Sequence, residues 1–453
     1  MPRFGISQGP HVRGIRLGAA ILLAVLAAGA ALAAGRYEGV ASCAGSTCHG
    51  RAEGNGAVVR QDELRLWQEP AARSGAHSRA YAGLVSPRGE RIAGTLGLGS
   101  AGSAAACLGC HATPQGVRGE RFQISDGVGC EGCHGPASGW IASHYAVGAS
   151  HAGNLAGGMV ALDDPAARAG VCLDCHLGSA RPGQFVTHAM MAAGHPRLTF
   201  EIDLFSSLQQ HWDEDADYAA RKPRADSVRL WAVGQTEAVR RSLSLFGQGN
   251  LASNGLFPEF TFYDCHSCHR PIDDNPARGR IFEPNPGRPI EFGQPPFNDE
   301  NIIMLSAVAQ VLAPAQAAQF DRAARDFHAA MGRGRSDAMA AGGRLDTAAG
   351  ALGSAMAQGP SGSDTAFRVI SAIGGRAIAP RFTDYTGSAQ AVMAVDTLLN
   401  ALVREGRVTV GAAAGIRANI NRAYGAVASP TDYSPAQFRS ALGQAVRSIE
   451  ALR

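Results

Sequence analysis

The stretch "GVGCEGCHGPASGW" (127–140) sets two cysteines three apart and a histidine directly after the second. The pattern recurs as "CAGSTCH" (43–49), "CLGCH" (107–111), "CLDCH" (172–176) and "CHSCH" (265–269). These five motifs take up all ten cysteines: Cys43 and Cys48, Cys107 and Cys110, Cys130 and Cys133, Cys172 and Cys175, Cys265 and Cys268. A disulfide framework gives no reason for a histidine after every second cysteine. Zinc usually needs two such pairs to meet, since one alone offers three crowded ligands. Covalent haem accounts for every residue: each cysteine forms a thioether, and His49, His111, His134, His176 and His269 each lie beneath an iron. The reading is five covalent haems c.

Composition agrees with that reading. Aromatic residues make up only 6% of the chain, and a porphyrin is a large apolar body that takes their place in a core. Lys222 is the single lysine among 41 basic residues, which leaves 40 arginines. Arginine binds planar carboxylates through two hydrogen bonds, and haem brings two propionates per site. A chain built this way is expected to fold poorly without haem.

A haem with a second strong axial ligand shuttles electrons, whereas an open face binds and reduces small molecules. Of 14 histidines, five follow cysteine pairs, His11 lies in the leader, His328 lies far from any motif, and His266 sits inside its own motif loop. His77, His144, His151, His188, His195 and His211 remain as candidates for five positions. In "VTHAMMAAGHPRLTFE" (186–201), His188 and His195 are seven apart, two helical turns, and are expected to share a stripe that caps two irons carried elsewhere. Propionate hydrogen bonding is the alternative for this pair. His151 and His211 are the weaker candidates, and Met190 and Met191 read as packing residues.

The set "ASCAGSTCHG", "GAHSRAY", "GVGCEGCHGPASGW" and "CLDCHLG" resembles the multihaem cytochromes with a cytochrome c-552/c-554-type domain, over roughly residues 38–270. These are relatives of the tetrahaem electron acceptor of hydroxylamine oxidoreductase. The resemblance implies a mostly α fold with little regular β structure, close haem pairs and bis-histidine ligation at most sites. It also implies distal roles for His77 and His144. The first motif departs with four residues between its cysteines, a spacing that multihaem cytochromes also use. A fifth motif and a long C-terminal extension depart further. One well-known member leaves a haem five-coordinate, so closure of every site does not follow.

The ends of the chain have their own character. Arg3, Arg13 and Arg16 precede the apolar run "LGAAILLAVLAAGAALAA" (17–34), which reads as an export signal with small residues at its end. An uncleaved anchor is the alternative, and would associate the protein with a membrane. Either places residues 35–453 in the periplasm or otherwise outside the cytoplasm, reached by export in the unfolded state. The leader's three arginines account for the formal charge of +3, leaving 3 − 3 = 0, and nothing points to nucleic acid.

Residues 35–297 read as the pentahaem domain. It includes an amphipathic helix over 225–246 and an extended, proline-rich run over 270–296. Residues 298–453 read as an alanine-rich helical bundle. In it, "AVMAVDTLLNALV" (391–403) forms one apolar stripe, and a final helix opens at Ser434 and Pro435.

Two functions are compatible with these residues. The first is electron transfer between redox partner proteins, with donor and acceptor unspecified. The second is a multihaem enzyme with one open haem acting on a small nitrogen or sulfur compound, with Tyr263, His211 and the arginine of "HPR" near the substrate.

Overall fold

The computed structural model describes residues 35–453 apart from 55–59, 115, 215, 222–225, 250, 252–258, 271–286, 292, 378 and 380–383. The leader, Lys222 and most of the proline-rich run therefore lie outside the described residues. The protein is mostly α, with no β-strand among the described residues.

Helices up to residue 221 are short. They are α1 (Glu63–Gln68), α2 (Ala80–Leu84), α3 (Pro87–Thr95), α4 (Ala105–His111), α5 (Cys130–His134) and α6 (Ile141–His144). There follow α7 (His151–Ala156), α8 (Pro165–His176), α9 (His188–Ala192), α10 (Ile202–Leu208) and α11 (Ala216–Arg221). The second, third and fourth motifs end α4, α5 and α8, where the i, i+3, i+4 spacing faces both thiols and the imidazole one way. Asp164 caps α8 by accepting from Ala166 and Ala167 N–H, and Pro165 starts its first turn. The first motif lies in a turn after a 3₁₀ segment, Val40–Ser42, and the fifth is itself 3₁₀ over Cys265–Ser267.

The second half is built of long helices: α12 (Ser227–Gly247), α13 (Glu300–Leu312), α14 (Pro314–Met331), α15 (Arg335–Ala357), α16 (Ser363–Ala377), α17 (Tyr385–Arg404), α18 (Val410–Ala426) and α19 (Pro435–Glu450). One apolar core runs through all of them, from Val228 to Ile449, with Phe246, Phe320, Phe327, Phe367 and Phe438 fully buried. The amphipathic segment at 225–246 becomes α12, and it is buried on two sides rather than one. Val239 and Leu243 join the large core, while Leu230 and Ala238 pack with Ala169, Leu173 and Ile202. The large core thus begins before the compositional border at 298. The stripe at 391–403 belongs to α17, which starts six residues earlier on the carboxylate cap of Asp384. Ser434 stands at the N-cap position of α19, but its side chain accepts no cap bond; Pro435 at the first turn needs no N–H partner there.

A buried ionic network joins the fifth motif to this core. Arg288 meets Asp299 at 2.7 Å and Asp384 at 2.6 Å, and His328 meets Asp299 at 2.9 Å. Asp264 caps the motif through Ser267 N–H and also accepts from Thr386 N–H on α17, both at 3.2 Å.

Candidate haem sites

Each histidine that follows a cysteine pair faces a second imidazole. The ring centroids of His49 and His144 are 6.1 Å apart, those of His77 and His176 6.2 Å, and those of His111 and His195 6.3 Å. His134 faces His211 at 6.4 Å, and His269 faces His188 at 6.1 Å. Two iron–nitrogen bonds of about 2 Å each, with the two ring radii, separate coaxial imidazoles on one metal by about 6.3 Å. Among the described residues no three of His, Cys, Asp and Glu converge on a point where an ion could bind. Two imidazoles alone are an incomplete zinc site, but they complete a haem, whose porphyrin supplies the in-plane nitrogens. All ten cysteines are free of disulfides. The residues fit covalent haem.

Local structure explains how the distal rings are held. Thr187 caps α9 by accepting from Met190 N–H at 3.2 Å. The helix ends after five residues at Gly194, whose φ of 110° an L side chain would resist. His195 N–H then bonds Met190 C=O and Gly194 N–H bonds Met191 C=O, a Schellman ending. His188 and His195 are therefore not on one helical stripe: one opens the helix and the other lies beyond its stop. They face different partners, His269 and His111. His77 likewise follows a 3₁₀ turn, Ser74–Ala76, rather than sitting inside an α-helix. His144 ends α6 with Trp140 edge-on at 5.6 Å, and His211 has Trp212 edge-on at 5.2 Å.

Second partners orient several rings through Nδ1, leaving Nε2 as the available nitrogen. His111 Nδ1 meets Ala80 C=O at 2.8 Å, and His195 Nδ1 meets Pro196 C=O at 2.8 Å. The Gln209 backbone carbonyl lies 3.3 Å from His211 Nδ1 and the Gln209 side-chain nitrogen 3.2 Å from it, whereas His144 Nδ1 meets the Asn154 amide nitrogen, a donor, at 3.3 Å. His49 Nδ1 instead meets the carboxylate of Glu63 at 3.0 Å. Burial pushes His77, His144, His195 and His211 below the ordinary imidazole value, and takes His176 down to about 4. That keeps these rings neutral, the form that binds metal. His49 moves the other way because of Glu63. Glu63, Asn154 and the backbone acceptors escape sequence reasoning, since no spacing or residue pattern marks them.

The motifs also touch one another out of chain order. Cys110 Sγ lies 4.0 Å from Cys175 C=O and Cys175 Sγ lies 3.9 Å from Gly109 C=O, so the second and fourth motifs meet. Glu131 of the third motif accepts from Glu38 and Gly39 N–H, which lead into the first. The fifth connects to the second through α9, whose two ends carry His188 and His195.

The remaining histidines have other partners. His266 Nδ1 meets Pro430 C=O at 2.7 Å, His151 lies 3.8 Å from Asp163 at the surface, and His328 is buried on Asp299. The arginine of "HPR", Arg197, pairs with Glu300 at 3.1 Å. Tyr263 pairs through its backbone with Phe297.

Residues 42–135, which include the first three motifs, match the family model of cytochrome c554 and c-prime. The chain therefore contains a multihaem c-type cytochrome-like domain, a domain that carries covalent haem c and transfers electrons. No curated protein and no solved structure matches the chain.

Proposed function

We propose that this protein carries electrons outside the cytoplasm through five covalent haems, each held between two histidines. The observation that carries the reading is the one-to-one pairing of His49, His111, His134, His176 and His269 with His144, His195, His211, His77 and His188. Bound haem supplies a reversible one-electron couple at each site. The chain's part is to fix the cysteine sulfurs, keep the imidazoles of His77, His144, His195 and His211 neutral by burial, and bring motifs into contact. Redox proteins are the partners this chemistry requires as donor and acceptor. An open, substrate-binding haem finds no support in the pairing, and Arg197, which an anion-binding site would need, is engaged with Glu300.

Export rests on the leader sequence, with Arg3, Arg13 and Arg16 before the apolar run 17–34. Among the described residues no helix is long and apolar enough to cross a membrane.

Intact mass and haem absorbance on the mature protein test the count. Five haems per chain are expected, falling to four in Cys172→Ala/Cys175→Ala. A count of four in the parent would remove the widely spaced first motif from the proposal. In His211→Ala, carbon monoxide should bind one reduced haem per chain; failure to bind would show that His211 is not an axial ligand.

A further inference from the structure

We propose that Glu63 tunes the first haem site, holding its potential below that of the second by placing a carboxylate on the axial ligand His49. This rests on the bis-histidine reading above. The two sites differ in what takes Nδ1. At the second, both His111 and His195 donate to backbone carbonyls, at 2.8 Å each. At the first, His144 meets a neutral amide, but His49 donates to Glu63 Oε2 at 3.0 Å. A carboxylate draws the Nδ1 proton toward itself and gives the ring part of the character of an imidazolate. Nε2 then donates more strongly, which favours the oxidised iron with its extra positive charge. The carboxylate's own negative charge acts in the same direction.

The local chain is arranged to hold Glu63 there. Gln61 has a φ of 66°, the sole non-glycine residue with positive φ among those described, a conformation that side chains resist unless their surroundings hold it. In that conformation its N–H reaches Glu63 Oε1 at 3.3 Å, while its side-chain amide donates to Thr47 C=O inside the first motif at 3.0 Å. Arg51 N–H bonds Gln61 C=O at 2.7 Å, and Leu64 N–H bonds His49 C=O at 3.0 Å. The strained residue thus ties the wide first motif to the start of α1 and aims the carboxylate. The Glu63 side chain is only 18% exposed, so water screens the pair weakly.

The test is a spectroelectrochemical titration of the haem-loaded protein, with haem counted by mass in every variant. In Glu63→Gln, which keeps the shape without the charge, one of the five couples should move to higher potential and the others should stay. In a Cys43→Ala/Cys48→Ala background, which lacks the first haem, the same substitution should move nothing. Glu63→Asp withdraws the carboxylate by one methylene and should give a smaller rise than Gln. The proposal is overturned if no couple moves in Glu63→Gln, if the shift survives loss of the first haem, or if Asp and Gln raise the couple equally. Should Glu63→Gln lose the first haem, Glu63→Asp decides alone, and an unshifted couple there overturns the proposal. A parent protein with fewer than five haems would instead refute the five-site reading, which the count reports separately.

Discussion

The two halves of this molecule bury apolar side chains on different scales. Up to α11, the clusters are small: Leu84, Ala93, Ala101, Leu108 and Ala112 form one, and Ala169, Leu173 and Ile202 join α12 in another. From α12 onward a single core runs through eight helices, with aromatic rings such as Phe246, Phe297 and Phe327 packed edge to face. The first half has short helices, eight of the ten cysteines, and paired imidazoles where the second has leucine and phenylalanine. A chain this size needs buried apolar area to offset its conformational entropy. On the proposed reading haem supplies that area in the first half, whereas in the second the side chains do.

The largest effect expected from this contrast is on the haem-free chain. With all ten cysteines replaced by alanine, limited proteolysis should degrade the region up to α11 and leave a resistant fragment beginning near α12. Uniform resistance along the chain would break the comparison. Next in size is Phe327→Ala, which empties a fully buried site in the helical core and should cost about 3–5 kcal/mol of stability. Denaturant unfolding would report this loss, while the absorbance of the haems on the first four motifs should persist.

A smaller effect sharpens the seam between the halves. Glu201 caps α10 by accepting from Asp203 and Leu204 N–H and also binds the Thr397 hydroxyl of α17. Burial, with Asp203 nearby, pushes its carboxyl up to about 8 from 4.5. The folded state therefore holds this proton more tightly than the unfolded state. Its stabilising effect is full below 4.5 and is lost as pH rises through about 8. Glu201→Gln should flatten the fall of stability across that window, read as unfolding midpoints against pH; an unchanged slope would locate the pH dependence elsewhere.

How far the sequence leads also differs between the halves. The haem motifs are legible because two thiols and an imidazole recur within five to seven residues, so local spacing alone defines their chemistry. The candidate distal histidines were reachable by counting those that remained. Their partners were not: His49 and His144 lie 95 positions apart, a pairing that only tertiary structure makes. His188 and His195 looked like one stripe at a spacing of seven; Gly194 and Pro196 mark a helix end in the sequence, but the structure stops the helix at Ala192, before His195 is reached. His211 was one of the two weaker candidates, and the structure sets it opposite His134. In the helical half, periodicity located α17 and α19. It could not show that α12 is buried on two sides, because a second apolar face adds residues without altering the first. Glu63 carries no sequence signal at all; an acid near a turn is ordinary until the turn is seen to aim it.

The central claim is that all five irons are closed by paired histidines. Carbon monoxide added to the fully reduced, haem-loaded protein tests it most directly, with the Soret band as the readout. The account predicts no shift at any of the five haems. A shift that titrates to one or more haems per chain would contradict it and expose an iron that these histidine pairs do not hold.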